Sequence, residues 1–287
     1  MTGLRNPSRW IAATMLFAAS CAALAAPERP PRVESGLVRI PLFLDRGMAW
    51  VDVTIEGRPL RLLLDLGGFD TVALTPESLE GMSVTWTGRT RTTFSAMGDV
   101  ARAREYVLPA MELGGVVFRE LRGTEDLLKG EKRVVQRTGY LGLGLLQRFN
   151  LIIDYPAREL VLLWPDVSPP EEYRVEEWPS TEFAAGVNGV IGTVEIDGER
   201  RRLVWDTGAS HCVLKTGLQG SGAIKKEGAY SVCTPSTFQV GGHEFGPVEF
   251  VLLDFKQPTA DGFIGYSFFG KHAVFVNFQS HRLAVRP

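Results

Sequence analysis

Residues 53–74, VTIEGRPLRLLLDLGGFDTVAL, align without a gap on residues 194–215, VEIDGERRRLVWDTGASHCVLK. Each copy sets a glycine turn, Gly57 or Gly198, eight residues ahead of an acid, Asp65 or Asp206. The acid ends an apolar run, Leu62-Leu63-Leu64 in one copy and Leu203-Val204-Trp205 in the other, and is followed by x-Gly. An ionised carboxylate is expensive in such a strand end, so two of them at matched positions mark a site and not a surface.

The repeat continues outward. Leu113-Gly114-Gly115-Val116-Val117-Phe118 matches Val240-Gly241-Gly242-His243-Glu244-Phe245. Gly139-Tyr140-Leu141-Gly142, leading to Ile153-Asp154-Tyr155 and Leu160, matches Gly262-Phe263-Ile264-Gly265, leading to Val276-Asn277-Phe278 and Leu283. Landmarks that recur in one order indicate duplication of a whole lobe. Between them lie short segments rich in Val, Leu, Ile and Phe, bounded by Gly-containing turns, which predict strands at 38–44, 50–55, 60–64, 112–118, 151–155, 160–163, 190–196, 237–240, 248–253 and 273–278. Helix is confined to Thr75-Pro76-Glu77-Ser78-Leu79-Glu80, where Thr can cap and Pro can fill the first turn, and to a short run after Gly142. The chain reads as all-β.

Two pseudo-symmetric, β-barrel-like lobes are expected at 36–164 and 186–287, with a cleft between them. The stretch 165–185, which opens PDVSPPEEYRVEEWPS, reads as a linker with little core of its own. Asp65 precedes Gly142 by 77 residues, whereas Asp206 precedes Gly265 by 59, and 14 of the 18 extra residues fall before Gly114. The spacing predicts an added hairpin in the first lobe within 92–104, its tip near Met97-Gly98.

Residues 1–25 read as an export signal: Arg5 and Arg9 precede an apolar run containing Ala23-Leu24-Ala25, a small-residue cleavage pattern. Export to a periplasm or to the medium is expected, with 26–35 as an N-terminal linker; Cys21 offers a lipid anchor as the alternative. Membrane contact is expected only through that segment or anchor. Loss of the signal leaves 29 basic against 33 acidic residues, a formal charge of −4, which suits no nucleic acid. Arg200-Arg201-Arg202 reads as a solvated edge strand. An oxidising compartment permits a disulfide between Cys212 and Cys233, and two buried thiols are the alternative. The four histidines have no metal-ligand spacing, so neither a metal nor another cofactor is expected.

Asp206-Thr207-Gly208-Ala209-Ser210 after an apolar strand, with Phe263-Ile264-Gly265 and a closing strand, resembles the lobe signature of the pepsin-like and retropepsin-like aspartic peptidases, here of a bacterial, exported, two-repeat kind. The resemblance covers 36–287 and implies a bilobal acid-protease fold, a catalytic Asp65 and Asp206 meeting at the cleft floor, a flap at Met97 and Gly98, and a polypeptide substrate. Two carboxylates a few ångströms apart share one proton, so one can activate a water while the other protonates a scissile carbonyl. Gly67 and Gly208 let the acid loops approach closely. In the family, Thr hydroxyls cross-link the loops and a Ser hydroxyl contacts the carboxylate, roles that Thr207 and Ser210 can fill. The first loop departs from this, with Leu66 and Phe69 at the matched positions. Donors on the Asp206 side alone place the shared proton on Asp65. A non-catalytic relative that binds peptide or a protein partner is the second reading, and a carboxylate-pair glycosidase ranks far below both.

Overall fold

The computed structural model describes residues 32–34, 36–95, 98–127, 138–220, 222–228, 230–255 and 259–287. The signal segment, the anchor at Cys21 and Met97 at the hairpin tip lie outside these residues.

The described chain is nearly all strand. Its helices are Pro76–Leu79, Leu143–Leu146 and Tyr266–Phe269, four residues each, besides two single 3-10 turns. Thr75 caps the first, its Oγ1 accepting from the Ser78 N–H at 3.3 Å, with Pro76 in the first turn as expected. The other two are twins that follow Gly142 and Gly265.

The duplication is visible in the strand order. In the first lobe, Met48–Ile55, Arg58–Leu64, Gly139–Leu141, Val72–Leu74, Val116–Glu125, Val100–Leu113 and Thr85–Phe94 lie side by side. The second lobe repeats this with Gly189–Ile196, Glu199–Trp205, Gly262–Ile264, Cys212–Lys215, Phe250–Leu253, Tyr230–Thr234 and Ala223–Glu227. Even the register repeats. Leu63 and Leu64 run parallel to Tyr140 and Leu141, while Val204 and Trp205 run parallel to Phe263 and Ile264. Both sheets curl back on themselves at matched pairs, Thr54 with Glu112 and Glu195 with Gln239.

Strands from both halves build a third unit between the lobes, in the order Leu37–Pro41, Glu159–Leu163, Asn150–Asp154, Ala273–Asn277, Arg282–Val285 and Ser180–Gly186. The halves join where Leu151 pairs with Val276 and Ile153 with Val274. Because side chains alternate along a strand, one face sends Ile40, Ile153, Leu160 and Val274 into the main core. The other carries Ile152, Val161, Leu163 and Phe275, and on it pack Tyr173, Val175 and Trp178. These three belong to the expected linker. It therefore has buried substance: its two aromatic side chains and one branched chain close the outer face of the shared sheet, and its last residues form the strand Ser180–Gly186.

Two other expectations change, and one open alternative is decided. The strand predicted at 112–118 is a turn at Gly114-Gly115 between Val100–Leu113 and Val116–Glu125. The first-lobe hairpin is an elongation, not an addition. Thr85–Phe94 and Val100–Leu113, of 10 and 14 residues, stand where the second lobe has Ala223–Glu227 and Tyr230–Thr234, of 5 each. Its tip closes where the Ser95 N–H donates to the Asp99 carbonyl and the Gly98 N–H to the Ser95 carbonyl, both at 2.9 Å. Finally, Cys212 and Cys233 are both free and buried. Each pairs with Phe250, from opposite sides, so a whole strand separates them. Two strand spacings are about 9.6 Å, beyond the reach of a disulfide. Burial pushes the thiols up, Cys212 to about 12 and Cys233 to about 11, which leaves them unreactive.

Among the described residues no helix is long and apolar enough to cross a membrane.

Candidate active site

Asp65 and Asp206 each follow the last residue of a central strand, and the parallel neighbour fixes where that strand ends. The Asp65 N–H donates to the Leu141 carbonyl and the Asp206 N–H to the Ile264 carbonyl, both at 2.9 Å. Each carboxylate then turns back onto its own loop. Asp65 Oδ1 accepts from the Gly67 and Gly68 N–H groups at 3.0 and 2.9 Å, and Asp206 Oδ1 accepts from the Gly208 N–H at 2.8 Å.

The two loops meet face to face. A Cβ added at Gly67 would lie 2.7 Å from Asp206 Cγ, and one at Gly208 would lie 3.0 Å from Asp65 Cγ. Each glycine is the floor on which the opposite carboxylate rests, so the requirement for glycine is close approach. The two carboxyl groups therefore lie close enough to interact directly. Burial first, and then the neighbouring Asp65 charge, push Asp206 up to about 8.

The hydroxyl groups expected to favour a charged Asp206 are engaged elsewhere. Thr207 Oγ1 donates to the Leu64 carbonyl at 2.6 Å and accepts from the Leu66 N–H at 3.0 Å, so it serves the backbone of the opposite loop. Ser210 Oγ pairs with His211 Nδ1 at 2.9 Å. Neither hydroxyl donates to Asp206 among the described hydrogen bonds, and the asymmetry that would have favoured its charged form is absent.

Leu66 is fully buried in the main core, where its isobutyl group packs instead of bonding across the lobes. The cross-lobe bonds converge on Thr207: its hydroxyl makes two, and the Tyr155 hydroxyl donates to its carbonyl at 3.3 Å. Removing the hydroxyl would strand a buried donor and a buried acceptor. Thr207→Val is therefore expected to destabilise the protein by about 2–5 kcal/mol in urea unfolding, with Thr207→Ser much milder.

Sequence reasoning missed four residues here: Tyr155, Asp70, Tyr140 and Arg91. Asp70 is buried, with Oδ1 accepting from Arg91 Nη1 at 3.0 Å and Oδ2 from the Tyr140 hydroxyl at 2.7 Å. The signal was present in the repeat, since Asp70, Tyr140 and Tyr155 stand opposite His211, Phe263 and Phe278. Of the expected flap pair, Gly98 lies at the hairpin tip. Among the described residues no group of His, Cys, Asp and Glu is arranged to hold a metal ion.

The crystal structure of an aspartic proteinase from Irpex lacteus superposes with a TM-score of 0.61, over 87% of this chain and 96% of that one. The fold is that of an aspartic proteinase. Sequence identity over the match is 11%, so the likeness is one of fold. No family model matches the sequence, and no curated protein does. The acid-protease architecture accounts for the features already described: paired lobes, a shared sheet beneath them, and one acid loop from each half at the meeting point.

Proposed function

We propose that this protein is an exported aspartic-type endopeptidase that cuts extended polypeptide between its lobes, with Asp65 and Asp206 as its catalytic pair. The observation that carries the reading is the close approach of two carboxyl groups supplied by duplicated loops, each resting on the other loop's glycine. Paired acids that share a proton supply a base and an acid at once.

In the cycle this supports, ionised Asp65 takes a proton from a water poised between the carboxyl groups, and the water oxygen attacks the scissile carbonyl carbon. Protonated Asp206 gives its proton to the carbonyl oxygen, forming a neutral tetrahedral diol. The diol then collapses: the proton held on Asp65 passes to the leaving nitrogen, the C–N bond breaks, and a diol hydroxyl proton returns to Asp206. One water is consumed, one carboxyl and one amine are formed, and the pair ends with its single proton.

The proposed setting is a periplasm or the medium, after removal of residues 1–25 or with an anchor at Cys21. A second reading, a peptide-binding relative without catalysis, draws on Leu66 filling the core where a hydroxyl is expected and on Ser210 turning to His211. Incubation with an unfolded polypeptide separates the two. New amino termini from the wild type, and retention of peptide without cutting by Asp65→Asn, support the peptidase; retention without cutting by both proteins supports the binding module.

A further inference from the structure

We infer that the Arg91–Asp70 ion pair is the contact that holds the long first-lobe hairpin down on the Asp65 loop, which makes Arg91 and Asp70 positioning residues of the dyad site. The inference deepens the peptidase reading and rests on it only for its kinetic consequence.

The repeat supplies the first argument. The second lobe has a short hairpin and lacks every part of this network. His211 stands opposite Asp70 and bonds Ser210, Phe263 stands opposite Tyr140 and has no hydroxyl, and Ser210 stands opposite Phe69. Polar groups absent from the copy with short arms, and present together in the copy with long ones, fit a device that serves the arms.

Geometry supplies the second. Arg91 pairs across the hairpin with Ala103, which is fully buried, so both sit on the inward face. From there Arg91 Nη1 donates to Asp70 Oδ1, and its guanidinium lies 5.7 Å from the centre of the Phe69 ring on the acid loop. Asp70 is only 6% exposed, and its two oxygens are divided between Arg91 and Tyr140. A carboxylate taken out of water needs its cation: without Arg91 it keeps one neutral donor, so a hairpin that still covers it leaves a poorly compensated charge, and lifting the hairpin to let in water becomes easier. The Arg91 side chain is itself 44% exposed, so it is the buried Asp70 end that sets this contact apart from a fully exposed ion pair, whose loss is cheap.

A path to the dyad completes the argument. The Tyr140 ring packs on Gly68, where an added Cβ would lie 2.7 Å from Cε2, and the Gly68 N–H donates to Asp65 Oδ1. Hairpin, Asp70, Tyr140 and Asp65 loop thus form one continuous set of contacts. Phe69, which departs from the serine of the resembled family, becomes part of it.

The test is hydrogen exchange on the ligand-free full chain, comparing wild type, Arg91→Met and Arg91→Lys. Arg91→Met is expected to speed exchange of amides in Thr85–Phe94 and Val100–Leu113 about tenfold or more, with Gly189–Ile196 unchanged. A lysine ammonium can meet the single Oδ1 contact, so Arg91→Lys should stay within about threefold of wild type. In peptide cleavage, Arg91→Met should raise KM about tenfold and leave kcat within about threefold. Hairpin exchange equal in Arg91→Met and wild type, or Lys as fast as Met, would overturn the inference. A protein that cuts nothing yet shows the expected exchange pattern overturns the peptidase reading and leaves the hairpin contact standing.

Discussion

Asp65→Asn and Asp206→Asn are each expected to reduce peptide cleavage by about 10⁴-fold or more, and the double variant by little further, because paired groups that act as a unit lose their effect together. Each Asn preserves the shape of its loop and can still accept from Gly67, Gly68 or Gly208. Neither can exchange the shared proton. Stability provides the control. Asp206 is raised from its ordinary value to about 8, so the fold favours its neutral form. The stability linked to that proton is fully present below the unfolded value near 4 and is lost as pH rises through about 8. At neutral pH the wild type therefore bears a cost that a neutral Asn does not. Asp206→Asn should equal or exceed wild-type stability at pH 7, by up to a few kcal/mol in urea unfolding. Loss of cleavage with gain of stability would separate a chemical role from a structural one.

Gly67→Ala is expected to be nearly as damaging to activity. Its methyl group would stand 2.7 Å from Asp206 Cγ and 2.8 Å from both carboxylate oxygens, closer than real contacts allow. The loops must part to admit it, and displacement of a reacting group by about 1 Å can cost about 10²-fold in rate. A loss of kcat/KM of about 10²-fold or more is expected, with the lobes still folded. Gly57→Ala is the control. Gly57 has a φ of +74 and open space around it, so alanine there strains a turn without touching the pair. Equal activity of Gly67→Ala and Gly57→Ala would show that the two carboxyl groups need not be close.

Much of this arrangement is legible in the sequence because duplication carries register with it. The gapless match at 53–74 and 194–215 predicts paired acid loops, and the matched strand order and parallel pairs follow from it. What stayed hidden depends on neighbours that local sequence does not name. The hairpin strand Thr85–Phe94, TWTGRTRTTF, is exposed on both faces for most of its length, so it lacks the alternation that reveals a half-buried strand. Tyr173, Val175 and Trp178 are spaced among acids and prolines and read as solvated, until the shared sheet offers them a face. The sequence leaves a disulfide and two buried thiols equally open for Cys212 and Cys233, and Phe250, lying between them, decides for the thiols. Thr207 makes the cross-lobe link expected of it, to Leu64 and Leu66, whereas Ser210 turns to its neighbour His211 and not to the carboxylate.

Burial and the neighbouring carboxylate decide the sign of the pH dependence. With Asp206 raised to about 8 by burial and by Asp65, the pair keeps its single proton through neutral pH, and cleavage should persist there. The fall at high pH reports loss of that proton, and its apparent value belongs to the pair. The direct measurement is kcat/KM for one peptide substrate from about pH 3 to 10, with Asp65→Asn and Asp206→Asn as blanks. An alkaline limb near 8, absent from both blanks, is the expected result. Cleavage that is absent at every pH, or that survives unchanged in either blank, would contradict the paired-carboxyl mechanism.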